Sequence, residues 1–159
     1  MRRLMLLVPV LALSTVAFAR PSVVKWPAWL SIESPVNPFD RENSGALMLV
    51  HAMTREGPAT LANVSGSAQG LVNGARRSIP VRFDTTSKPG IFAVRKQWPS
   101  EGTWLLQIAL YGTTAIVVVD RDGSVASVRV PTQLQSGNQI PRAVAAREID
   151  STLAAAAHR

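Results

Sequence analysis

Two side chains draw attention for their chemistry. His51 and Met53 lie two residues apart in the segment 46–54, ALMLVHAMT. On a strand that spacing turns both to one side, and imidazole with thioether is a ligand pair that suits copper. Leu47 and Leu49 share that face. Such apolar company leads us to expect both residues in the core, with the imidazole satisfied by a single hydrogen bond.

Three further residues are candidates for contact with a partner. Trp98 stands at a proline-containing corner, and Arg76-Arg77 flank a turn where they could meet an acidic surface. Asp120-x-Asp122-Gly123 echoes the start of a calcium loop but lacks the later acidic ligands, so a plain hairpin turn is expected. Asn63-Val64-Ser65 fits a glycosylation sequon, which matters only in a eukaryotic secretory route.

Catalysis has little to draw on. A nucleophilic triad needs a base beside its nucleophile, and the histidines are His51, within a strand pattern, and His158, next to the last residue. There is no cysteine and no G-x-S-x-G elbow, and no spacing converges the ten carboxylates on one site. The sequence therefore reads as a non-enzyme with no cofactor.

The elements that must position these residues are strands. Alternation over residues 90–111 gives a strand, a tight corner at Trp98-Pro99-Ser100-Glu101-Gly102, and a second strand with Trp104, Leu106, Ile108 and Leu110 on one face. That aromatic face demands a second sheet to cover it. Residues 29–34 form a first strand stopped by Pro35, and 46–54, apolar on both faces, forms a central one. Asn73-Gly74 joins 61–72 to 76–83 as a hairpin, whose second strand carries Pro80 and so belongs at an edge. Gly112-Thr113 leads into the β-branched run 114–119, and the turn Asp120 to Gly123 returns the chain over 124–130. The polar residues 132–139 read as a linker, and 142–158 as a short helix with Val144, Ile149 and Leu153 in a narrow apolar stripe. The fold expected is all-β: an Ig-like antiparallel β-sandwich of about seven or eight strands over residues 29–131.

The N-terminal 19 residues have the grammar of a cleaved signal peptide: Arg2 and Arg3, an apolar run over 4–18, and Ala17-Phe18-Ala19. Residues 20–28, with Pro21 and Pro27, make an extended lead-in whose Trp26, with Trp29, is expected to fold over an end of the sandwich. Cleavage leaves 15 basic against 10 acidic side chains, a net charge of +5. The arginines are scattered, with no run that resembles a nucleic-acid patch. The expectation is an exported, periplasmic or extracellular protein stabilised by packing alone. It would have no nucleic-acid partner and no stable membrane insertion after cleavage, and its partner would be another envelope or secreted protein.

Gly90, Phe92 and Val94, followed by the corner and by Gly102, Trp104 and Leu106, resemble the exported bacterial Ig-like sandwiches of the YtkA-like and CopC-like kind. The resemblance covers residues 29–131 and implies a role in copper handling or as an accessory module of an envelope system. The copper-binding members carry an N-terminal histidine and a histidine at the corner; here those positions are Arg20 and the Trp98 to Gly102 corner.

Overall fold

The computed structural model describes residues 28–158 of the 159. The expected signal peptide and the expected lead-in up to residue 27, Trp26 included, lie outside the described residues.

The chain alternates between two antiparallel sheets. Strands β1 (Trp29–Glu33), β2 (Met48–Thr54), β3 (Gly57–Pro58), β6 (Asp84–Thr85) and β7 (Ile91–Val94) form the first, in the order β1-β2-β7-β6 with β3 beside β2. Strands β4 (Val64–Val72), β5 (Ala75–Pro80), β8 (Thr103–Leu110), β9 (Thr113–Val119) and β10 (Val125–Arg129) form the second, in the order β10-β9-β8-β4-β5. This strand order is that of an immunoglobulin-type sandwich: β1, β2, β7 and β6 take the A, B, E and D places, β5, β4, β8 and β9 the C′, C, F and G places, and β10 is added beyond G. Apart from the two-residue strands β3 and β6, the two sheets contain eight strands, as expected.

Side-chain alternation builds the core. Met48, Val50 and Ala52 of β2 and Phe92 and Val94 of β7 face Trp104, Leu106, Ile108 and Leu110 of β8 and Ala115, Val117 and Val119 of β9. Strand β4 offers that interior only small residues where the aromatics crowd it. A Cβ on Gly70 would stand 2.5 Å from the Trp104 ring, and one on Gly66 would stand 2.8 Å from Phe83.

The corner after β7 carries the chain across from the first sheet to the second. Gly102, at φ +85°, makes the turn with its α-carbon so close to β4 that a Cβ would meet the Leu71 carbonyl at 2.5 Å. Trp104 Nε1 donates to the Glu101 carbonyl at 2.8 Å, which satisfies the indole as it enters the core.

The β4–β5 hairpin forms at Asn73-Gly74 (φ 50° and 76°), and β5 is an edge strand, as its proline demands. The β8–β9 turn sits one residue earlier than expected, at Tyr111-Gly112, with Tyr111 at φ 51°. Leu61–Asn63 is a 3-10 turn, and the strand begins only at Val64. Residues 132–139 are not a linker. They belong to a two-stranded hairpin, β11 (Thr132–Gln135) and β12 (Asn138–Pro141), turned at Ser136-Gly137 with both residues at positive φ. Its polar composition conceals it, because it lies on solvent and joins neither sheet.

Helix α1 (Ala146–Ala157) docks on the outer face of the second sheet, burying Ile149, Leu153 and Ala156 against Leu105, Ile116 and Val118. This accounts for β9, which is buried on both faces: the sandwich covers one and α1 the other.

Candidate functional site

The C-terminal helix leaves a groove beside it. The groove has a volume of about 690 Å³: Ile116 and Val118 of β9 make its apolar floor, Ser127 and Arg129 of β10 form one wall, and Glu148, Ser151, Thr152 and Ala155 of α1 the other. The register pairs Ser127 with Val118 and Arg129 with Ile116, so these wall residues stand on the same outer face as the floor. The groove ends at β10, whose outer edge pairs with no strand among the described residues. A strand edge of this kind presents alternating N–H and C=O groups to whatever extended chain approaches.

Charge fixes the groove's upper wall. Arg142 donates to both carboxylate oxygens of Glu148, at 2.8 and 2.6 Å, and the Ala145 N–H donates to the same carboxylate at 2.9 Å. Glu148 at the third helical position thus reaches back to the first orphan N–H, as in half of a capping box, while Ala145 has no side chain with which to reciprocate. The Arg142 guanidinium and then the Ala145 N–H hold the Glu148 carboxyl at about 2, well below its usual value. Arg129 Nη2 reaches across to Thr152 Oγ1 at 3.3 Å.

The residues singled out in the sequence are scattered over the molecule. His51 and Met53 do not point into the core; the inward face of β2 belongs to Met48, Val50 and Ala52. A strand that is apolar on both sides in sequence is covered on both sides only at its beginning, where Leu49 is buried, and the outward face then opens to solvent at Met53. There His51 Nε2 lies 3.1 Å from Glu33 Oε2 of β1, its diagonal neighbour two residues beyond its register partner Ser31. Glu33 had no signal in the sequence, because strand order alone brings β1 beside β2.

Trp98 is buried, 5 % exposed, and stacks obliquely on Trp104, so it offers a partner no surface. An indole next to a proline corner reads as exposed only until the second sheet is placed over it. Trp29, expected to fold over the sandwich, instead stands in solvent. Arg76 pairs with Asp150 and so ties the β5 edge to α1, and Arg77 is exposed beside it. Asp122 accepts the Ser124 N–H at 2.8 Å in an ordinary hairpin turn, and that bond lowers its pKa. Together, Glu33, His51 and Met53 supply three donors on an open face, and a metal there would have to displace the bond between the first two. No group of three histidine, cysteine or acidic side chains suited to a metal occurs among the described residues.

The fold defines an Ig-like β-sandwich with a docked C-terminal helix. No protein-family model matches the chain, and comparison with curated proteins and with solved structures returns no match.

Proposed function

We propose that this chain is a non-enzymatic exported Ig-like domain that acts as a protein-interaction module of the cell envelope, receiving an extended segment of a partner protein along the outer edge of β10. The observation that carries this reading is the continuity of an unpaired strand edge with an apolar-floored groove roofed by α1. Main-chain bonds to β10 would supply affinity, and the groove would select an apolar side chain from the added strand. Export rests on the signal-like N-terminal sequence.

Site-specific photo-cross-linking in the native host tests it. A photoreactive residue at Ser127 should give a discrete adduct, and Ser151→Trp, which fills the groove, should remove that adduct. An adduct at Asn73 on a distant turn but none at Ser127 would refute the reading.

A second reading, a copper-binding or copper-delivery protein, is favoured by the placement of His51, Met53 and Glu33 on one solvent-facing surface. Competition titration with cuprous ion on the wild type and on His51→Ala separates it from the first. A tight site that disappears in the variant supports copper binding, and identical weak uptake by both rejects it.

A further inference from the structure

Seven large apolar side chains are exposed among the described residues, and five of them crowd one end of the sandwich: Trp29, Met53, Leu61, Tyr111 and Leu134. Their elements meet there. Thr113 Oγ1, just after the Tyr111 turn, donates to the Ala28 carbonyl at 2.6 Å and so sets the start of β1 beside that turn. Trp29 lies opposite Met53 in the register, and Val64, which follows the Leu61 turn, lies opposite Leu110. The β11–β12 hairpin rises from the same end, since Gln133 and Pro141 line a cleft with Ala28, Gly112 and Thr113. Of the remaining two, Val128 lies midway along β10, and Phe39 occupies a loop at the opposite end.

Charge does not distinguish the two ends: the far-end loops carry Asp40, Glu101, Asp120 and Asp122 together with Arg41, Arg95, Lys96 and Arg121, and Glu42 accepts the Ser87 N–H and hydroxyl in the turn that leads into β7. The apolar end is the end at which the chain enters the sandwich: Ala28 sits there, and the 27 residues before it in sequence include the apolar run 4–18.

The geometry points to a lipid surface as what this end contacts, with the domain standing on the bilayer by its apolar loops. The patch is made of separate protrusions, with Trp29, Tyr111 and Leu134 at 66, 67 and 72 % exposure. A fluid headgroup layer closes around separate protrusions of that kind, whereas a folded partner needs a continuous complementary surface. Tryptophan and tyrosine favour the interfacial layer because each joins an apolar ring to a polar atom. The inference is independent of the β10 groove, which runs along the side of the sandwich and stays accessible in this pose.

The absence of cysteine allows a direct test on the full chain. A fluorophore is placed through Gly112→Cys, where an added side chain meets open space, or through Phe39→Cys at the far end. The labelled proteins are mixed with phosphatidylcholine–phosphatidylglycerol vesicles carrying a lipid-borne quencher. Quenching is expected at position 112 and not at 39. It should be largely lost at 112 when Trp29→Ser and Leu134→Ser are added, even if the N-terminal segment still holds the chain on the vesicle. Both substitutions are at exposed positions, and an unchanged far-UV spectrum confirms the fold. Equal quenching at 39 and 112, no quenching at 112, or quenching at 112 that survives both substitutions in the folded protein would each overturn the proposal. Failure to quench at 112 would assign the patch to a protein surface instead.

Discussion

Trp98 and Trp104 lie with ring centroids 6.5 Å apart and planes inclined by 37°, one at the corner between the sheets and the other at the start of β8. The tilted pair closes the end of the core where the chain crosses over. Trp98→Ala should cost about 3–5 kcal/mol, as for other large-to-small core changes, read as a lower midpoint in urea with an unchanged slope. A loss under about 1 kcal/mol would mean that the corner indole packs on nothing essential.

Gly70 lies opposite Trp104 in the β4–β8 register, with no room for a Cβ. Because a packed indole cannot swing aside as a flexible chain would, Gly70→Ala should destabilise by about 1–3 kcal/mol, although alanine is otherwise the better strand residue. The double change with Trp104→Phe should recover part of that loss. Additive losses in the two-mutant cycle would show that the glycine is not there to make room for the ring.

Gly74 tests the hairpin that the sequence announced most clearly. It sits at φ +76° with open space around it, so Gly74→Ala should cost about 1 kcal/mol from backbone conformation alone. Gly102→Ala should cost more, since there the left-handed conformation is joined by the Leu71 carbonyl at 2.5 Å from the added carbon. Thermal melts of the two variants should rank in that order.

Glu148 gives α1 a dependence on acid. Its folded pKa of about 2 lies below the ordinary value of 4.5, so its carboxylate contributes stability that is fully present above pH 4.5 and is lost as the pH falls toward 2. Amide exchange in α1 should accelerate over that window before the β8 and β9 amides do. Glu148→Gln should flatten the difference, and a helix whose protection follows the sheet at every pH would show that the Arg142 pair does not hold it.

The sequence by itself determined the strands and most of their turns, because side-chain alternation and glycine chemistry are local. Asn73-Gly74 demanded positive φ, Pro80 demanded an edge, and Trp104 to Leu110 demanded an opposing sheet, all from residues adjacent in the chain. The hairpin at 132–141 escaped notice for the complementary reason. It buries almost nothing, so no apolar period marks it, and only Gly137 hinted at its turn. Facing and covering were decided by the tertiary structure. His51 and Met53 have the same neighbours in sequence whether they point in or out, and the pairing of β2 with β7 and the sheet opposite gave the interior to Met48, Val50 and Ala52. Strand 113–119 is apolar on both sides because α1, more than 25 residues later, returns to lie on it. The gathering of Trp29, Met53, Leu61, Tyr111 and Leu134 at one end was equally beyond the sequence, since these five come from separate turns and strands spread over more than 100 residues. Periodicity reports which residues seek cover; long-range packing determines which of them receive it, because the two faces of a strand are equivalent until the rest of the chain has been placed.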